Sequence, residues 1–287
     1  MSGYNVAVVG ATGLVGETII AILEERNFPV ENIVPLASAR SVGKEVSYRD
    51  ERIPIVELES FDFGGMDFCF FSAGADISST FVPIATEQGA IAIDNTSAFR
   101  YEDDVPLVVP EVNADALASY TTRNIIANPN CSTIQLVVAL APIHKIARIK
   151  RINVATYQSV SGAGRQSVEL LNQQIEANLN GIDGSWEQLF AFNVVPQIDA
   201  FQENSFTKEE MKLVWETQKI LNDYDLLVNA TAVRVPVRVG HAEAVNIETE
   251  IGITPDQVKE ILSQSQGIKV VDDVSENSYP TPRTHGN

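Results

Sequence analysis

VVGATGLVGETII, residues 8–20, sets Gly10, Gly13 and Gly16 between a short apolar run and a helix-forming one. Ahead of it, YNVAVVG (4–10) reads as a buried strand, because its Val/Ala content is continuous rather than alternating. Behind it, from Gly13 to Asn27, Val15, Ile19, Ile22 and Leu23 recur at the spacing of one helix face. Strand, glycine turn and helix in that order open a dinucleotide-binding unit. The spacing is G-x-x-G-x-x-G rather than G-x-G-x-x-G, but the physics is shared. Small residues let the backbone approach a pyrophosphate, and the helix start supplies N–H donors and a positive dipole end. The alternative is a tight turn that uses glycine only for its torsions; the strand–turn–helix context favours the nucleotide.

Outward from this unit, NIVPLAS (32–38), MDFCFFSAG (66–74), AIAIDNTS (90–97) and LVVPEVN (107–113) are further strand candidates, with a helix at ISSTFVPIATEQG (77–89). The alternation predicts an α/β fold whose N-terminal half is a Rossmann-type, doubly wound parallel sheet. After Cys131 the pattern changes. An apolar helix (132–141) leads into RINVATYQSV (151–160) and a helix from about Arg165 to Asn178. ATAVRVPVRVG (230–240) and HAEAVNIETE (241–250) alternate with period two, as antiparallel strands with one solvated face do. A second, α+β domain with a mixed or antiparallel sheet follows, so the expected domains are 1–130 and 131–287. GIDGSWEQLF (181–190) and QENSFTKEE (202–210) read as surface loops.

Composition narrows the function. The 287 residues carry 38 acids against 20 bases, a net charge of −18. That field repels phosphate backbones and anionic membranes, so neither nucleic acid nor a membrane is expected as partner. An anionic substrate then needs a local cluster of Arg, Lys and backbone N–H groups. Two distant cysteines and no secretory leader point to free thiols in the cytoplasm. No metal-ligand spacing is present.

Which cofactor binds is read at the end of the second strand. NAD sites usually place an acid there for the ribose 2′-hydroxyl. Here stand Ser38, Ala39, Arg40 and Ser41. A guanidinium and hydroxyls hold a 2′-phosphate that a carboxylate would repel, which favours NADP. The alternative is that Arg40 is an ordinary surface arginine.

ANPNCSTIQLVVAL (127–140) puts one cysteine where Pro129 forbids helix and Asn130 is a good N-cap, so Cys131 is expected at the first helical position. Unsatisfied N–H groups and the dipole lower a thiol's pKa there and generate a nucleophilic thiolate. Ser132 and Thr133 are expected to add donors, and backbone N–H groups of the turn an oxyanion hole. The competing reading of Cys131 is a small helix-start residue. Cys69, inside DFCFF, reads as an inert core thiol. Of three histidines, His144 reads as a solvated residue at a helix end and His285 lies in the final turn. His241, after Gly240 at the junction of two strands, is the candidate acid/base. Arg234 and Arg238 are expected on one face of a strand, the second solvated.

GATGLVG (10–16), NPNCST (128–133), YQSVSGAG (157–164), EEMKLVWETQKI (209–220) and RVPVRVGHAE (234–243) together resemble aspartate-β-semialdehyde dehydrogenase, in order and spacing, over essentially the whole chain. The resemblance implies NADPH-dependent reductive dephosphorylation of 4-aspartyl phosphate to aspartate 4-semialdehyde, on the route to lysine, threonine and methionine. By motif it makes Cys131 the thioester-forming nucleophile, Gln158 its orienting neighbour and His241 the acid/base. Arg234 matches the arginine that grips the substrate α-carboxylate, and Glu209 the acid that holds its ammonium. Arg100, Asn130 and Lys212 match phosphate binders. Gly10, Thr12, Gly13, Leu14, Val15, Ser38, Arg40, Ser41, Ser161 and Gly162 match cofactor contacts. Being three apart on a helix, Glu209 and Lys212 are expected to present opposite charges to the ammonium and phosphate ends of the substrate. The resemblance also implies a homodimer or homotetramer. A strand and a helix that return to the first domain are expected beyond YPTPRTHGN (279–287). N-acetyl-glutamyl-phosphate reductase is the nearest rival, but its cysteine sits in a PGCYPT-like context. That of glyceraldehyde-phosphate dehydrogenase lies between Ser and Thr-Thr-Asn. A silent paralogue acting as a binding protein would be expected to lack the cysteine or the histidine.

Overall fold

The structure, a computed structural model, describes residues 3–182 and 184–285; the side chain of His285 lies outside the description. The chain divides into two compact units, Met1–Val108 with Ala114–Pro129, and Val109–Asn113 with Asn130–Asn287.

The first unit is built on a parallel sheet of six strands: β1 (Tyr4–Val9), β2 (Val30–Ala37), β5 (Val56–Glu57), β6 (Phe68–Phe71), β7 (Ile91–Asp94) and β8 (Ile125–Ala127). The order β5-β2-β1-β6-β7-β8 makes β1 the point where the chain turns from one side of the sheet to the other. Strand ends there open a ligand crevice in such sheets. A hairpin of β3 (Glu45–Tyr48) and β4 (Glu51–Pro54) follows β2. Val6 to Val9 are fully buried, as the unbroken apolar run requires for a strand covered on both faces.

Helices α1 (Leu14–Glu25) and α2 (Ala75–Glu87) are the crossovers. The buried face of α1 is Gly16, Ile20 and Leu23, whereas Val15 and Ile22 are 44% and 40% exposed. The expected apolar stripe is therefore rotated. The reason is Gly16: a Cβ there would stand 2.2 Å from the Gly10 carbonyl oxygen, so the helix turns its glycine toward the strand. LVVPEVN is not a strand. Leu107 forms one bridge to Ala127, and Pro110 opens the short helix α3 (Pro110–Asn113), where its missing N–H costs nothing. The edge position goes to β8.

The second unit carries β9 (Ile149–Gln158) at the centre of a three-stranded sheet, β10 (Leu227–Arg234) parallel on one side and β11 (Ala242–Thr249) antiparallel on the other. The sheet is mixed, and the two alternating segments are not neighbours. Pro236 has no N–H to continue β10, and 235–240 cross over to the far edge instead. Arg238 accordingly leaves the strand and donates to Asn172 Oδ1 at 2.8 Å. Ile152, Val154, Thr156 and Gln158 form the buried face of β9. Packed in the core with that face are α4 (Cys131–Ala147), α6 (Lys208–Leu221) and α7 (Pro255–Ser263). Helix α5 (Arg165–Leu179) carries a smaller core, and α8 (Pro282–His285) is a single turn.

Two segments expected as surface loops do more. Phe190, in GIDGSWEQLF, is 2% exposed, and buried Gln174 bonds the backbone of Gln188, Phe190 and Ala191. In QENSFTKEE, Thr207 caps α6 in a reciprocal box with Glu210. Among the described residues no helix is long and apolar enough to cross a membrane.

Candidate functional site

Helix α4 starts where its sequence says it should. Asn130 is extended, and its Oδ1 accepts the N–H of Ser132 at 2.9 Å, the geometry of an N-cap. Cys131 is then the first helical residue, with an exposed side chain. Helix α6 clamps this cap twice. Glu216 Oε2 accepts the Asn130 N–H at 2.6 Å, and Glu209 Oε1 accepts Asn130 Nδ2 at 3.0 Å.

From the far edge of the sheet, Gly240 at φ +86° turns the chain so that His241 Nε2 lies 3.2 Å from Cys131 Sγ. The other ring nitrogen, Nδ1, accepts the backbone N–H of Ser159 at 2.9 Å. An acceptor Nδ1 puts the proton of the neutral ring on Nε2, so the imidazole donates and the sulfur accepts. That is the arrangement a thiolate needs. Burial lowers the His241 pKa, and the Arg234 charge lowers it further against Glu209, so the ring is neutral at neutral pH.

Polar groups close in from the ends of β9 and β10. Gln158 is 1% exposed; its Nε2 donates to Glu209 Oε1 at 3.3 Å, and its Oε1 accepts from Arg234 Nη1 at 3.4 Å. Arg234, also buried, donates to the Ser159 carbonyl at 2.8 Å. Gly162 lies against both: a Cβ there would be 3.0 Å from Arg234 Nη1 and 3.3 Å from His241 Cε1. Ser161 Oγ shares a hydrogen bond with Ser159 Oγ.

Glu209 and Lys212 do share a face of α6, but they bind each other, at 2.9 Å, and Lys212 also meets Asp199 at 3.0 Å. Burial alone would raise the Glu209 pKa; the Lys212 charge and donors from Lys212, Asn130 and Gln158 outweigh it and hold the carboxyl below its usual range. A carboxyl depressed on folding stabilises the fold above its unfolded pKa and loses that contribution as pH falls through the folded value. Acid below the ordinary carboxylate range should therefore destabilise this unit. Glu209→Ala is expected to cost about 3 kcal/mol at neutral pH by urea denaturation, because it leaves a buried cation short of a partner.

Three expectations fail here. Ser132 and Thr133 add no donors at the sulfur: both side chains are fully buried with no hydrogen-bond partner. The Ser132 N–H is spent on the cap and is lost to an oxyanion hole. His144 is not solvated; its Nδ1 accepts the Ile149 N–H, its Nε2 faces Asp223 at 3.6 Å, and burial lowers its pKa. Cys69 is the inert thiol expected, fully buried and pushed up to about 12. The residue that sequence reasoning missed is Ser159. Its backbone orients both His241 and Arg234 from 82 and 75 residues away, a distance no local pattern reveals.

In the first unit, Gly10 has φ +87°, and a Cβ on it would meet Ser72 Oγ at 2.9 Å. Gly13 is the N-cap of α1 and offers no side-chain acceptor to the first turn, where Leu14 and Val15 follow Thr12. This narrow, side-chain-free cradle fits a dinucleotide pyrophosphate. Beside it, after β2, Ser38, Arg40 and Ser41 form a 3-10 turn without an acid, and Arg40 is exposed. Arg100, buried after β7, donates to the Asn95 carbonyl at 2.9 Å. Among the described residues no three His, Cys, Asp or Glu side chains converge as metal ligands.

Known proteins place these features together. Residues 5–120 match the semialdehyde dehydrogenase NAD-binding domain, and residues 140–287 the semialdehyde dehydrogenase dimerisation domain. The chain is 52% identical to aspartate-semialdehyde dehydrogenase of Legionella pneumophila, over 96% of this chain and 81% of that protein. The crystal structure of aspartate semialdehyde dehydrogenase II from Vibrio cholerae, complexed with ASA, superposes with a TM-score of 0.91 at 51% identity, over 93% of this chain and 80% of that one. The enzyme from Candida albicans, solved with NADP, gives 0.70 at 27% identity, over 92% and 76%. The parallel sheet with its glycine cradle, the mixed sheet, and a cysteine facing a histidine at a helix start have one common explanation: the chain belongs to the aspartate-semialdehyde dehydrogenase family.

Proposed function

We propose that this chain reduces 4-aspartyl phosphate to aspartate 4-semialdehyde and phosphate, in the cytoplasm, through a thioester on Cys131. The observation that carries the reading is the 3.2 Å contact between Cys131 Sγ and a His241 whose tautomer Ser159 dictates. The first domain (1–130) holds the cofactor through Gly10, Thr12, Gly13, Leu14 and Val15, with Ser38, Arg40 and Ser41 on the 2′-phosphate; Ser161 and Gly162 contribute from the second. When bound, NADPH supplies the hydride.

The second domain (131–287) does the rest. The Cys131 thiolate attacks the acyl phosphate carbon, the C–O bond to phosphate breaks, and phosphate departs to Arg100 and Lys212. After hydride addition to the thioester carbon, the neutral His241 serves the tetrahedral oxyanion by donating its Nε2–H hydrogen bond to it, and keeps the proton. Collapse of that oxyanion re-forms the C=O bond and breaks the C–S bond, which releases the aldehyde and restores the thiolate that the helix start stabilises. Arg234 binds the α-carboxylate as a planar, permanently charged donor, a role in which lysine is a poor substitute. Glu209 receives the substrate ammonium, and Gln158 orients the reacting group. Asn130, whose side chain is used within the protein, serves phosphate binding by setting the turn that faces it. Assembly is as a homodimer or a homotetramer through the second domain, and light scattering reads which.

The test is phosphate-dependent NADP reduction by aspartate semialdehyde. We expect turnover only with phosphate present, and kcat/KM for NADP at least about tenfold above that for NAD, the scale of one lost charge-assisted contact. Arg40→Ala should remove most of that preference. Turnover without phosphate, or a preference for NAD, would overturn the reading.

A further inference from the structure

Glu243 has no part in this scheme, yet it is tied to the helix that carries the reacting sulfur. Its Oε1 accepts from Gln135 Nε2 at 2.7 Å, and Gln135 stands four residues after Cys131, one turn along the same side of α4. Glu243 itself follows His241 by two residues and lies opposite Thr156 in the ladder of β11 and β9. One side-chain pair thus joins the strand of the histidine to the helix of the cysteine.

We propose that Glu243 is a positioning residue for the reaction: bonded to Gln135, it ties the strand of His241 to the helix of Cys131 and so fixes the separation of His241 Nε2 and Cys131 Sγ. The proposal rests on the assignment of those two residues above.

The surroundings favour the neutral acid. Gln135 from α4 and Thr156 from β9 are uncharged. The charged groups of α4, His144 and Lys145, sit in its last turn. Those of β9, Lys150 and Arg151, sit at its far end, where Arg151 opposes Glu248 of β11. The titratable neighbours that remain are Cys131 and His241, and neither is a cation at neutral pH in this arrangement. No positive charge offsets a carboxylate here, and burial pushes the Glu243 carboxyl up to about 7, with the Gln135 bond opposing.

Alkylation of Cys131 by iodoacetamide, followed by mass across mildly acidic to mildly alkaline pH, reads this without turnover. E243Q keeps the size and polarity of the side chain and cannot ionise; E243A removes the strut. We expect E243Q, which keeps the bond to Gln135, to be alkylated within about twofold of the rate of the unmodified chain, and E243A about tenfold more slowly near neutral pH. In E243A, kcat should fall about tenfold with KM for aspartate semialdehyde within about twofold. An E243A chain whose alkylation rate and kcat stay within about twofold of the unmodified chain, or an E243Q chain that falls as far as E243A, would overturn the proposal. Should E243A not fold, Q135A, which cuts the same bond from the helix side, takes its place. Failure of the underlying assignment looks different: Cys131 in the unmodified chain would then react no faster than a free thiol.

Discussion

Cys131→Ala is expected to abolish phosphate-dependent NADP reduction, with kcat down by at least about 10⁴-fold, while the protein stays folded and still binds the cofactor. Every covalent step of the proposed reaction passes through this sulfur, so no other side chain supplies a bypass. The fold tolerates the change because the side chain is exposed, and the helix start is built by Asn130, Glu216 and Glu209 rather than by the thiol. Cys131→Ser should fail nearly as badly, since a hydroxyl does not ionise near neutral pH. Cys69 is an internal control. Fully buried and with its thiol pushed up to about 12, it should stay unalkylated, so native protein takes up one iodoacetamide. Steady-state kinetics with intact mass measure both. Appreciable turnover by Cys131→Ala would remove the thioester route.

His241→Ala is expected to lower kcat by about 10²- to 10⁴-fold, the range for loss of a positioned acid/base. It should also slow alkylation of Cys131 near neutral pH, because the donor 3.2 Å from the sulfur is gone. The pH dependence follows from the sign of the shift. The imidazole pKa lies below the ordinary 6.5, through burial first and the Arg234 charge second. The neutral ring is therefore present at neutral pH, and its contribution to stability and activity is lost as pH falls through the lowered value. Protonation would also set an Nδ1–H against the Ser159 N–H. The acid limb of kcat/KM should accordingly lie below 6.5 and vanish in His241→Ala. An acid limb unchanged in that variant would assign it to another group.

Several of these features were legible in one dimension. Continuous Val and Ala in 4–10 require a strand buried on both faces, and Pro129 followed by Asn130 can only begin a helix one residue later, at Cys131. Such rules act between residues a few positions apart. Others were not legible. The face that α1 buries was set by the approach of Gly16 to Gly10, not by its apolar stripe. That the two alternating segments are not neighbours in the sheet was not legible either, because periodicity reports burial of alternate residues and says nothing about which strand lies alongside. Glu209 and Lys212, three apart, share the face of α6 that their spacing predicts, but Asp199, which completes their ion pairs, is remote in the chain.

The sequence by itself determined the type of each major element, the side-chain-free turn after β1 and the placement of a thiol at a helix start. Each follows from local torsions, capping and apolar spacing. Only the tertiary structure decided that His241, 110 residues away, faces that thiol, that the Ser159 backbone chooses which nitrogen carries the proton, and that α6 holds the cap from behind. Those contacts depend on β11 packing against β9 rather than β10, a choice made by the packing of whole elements and written in no single stretch of residues.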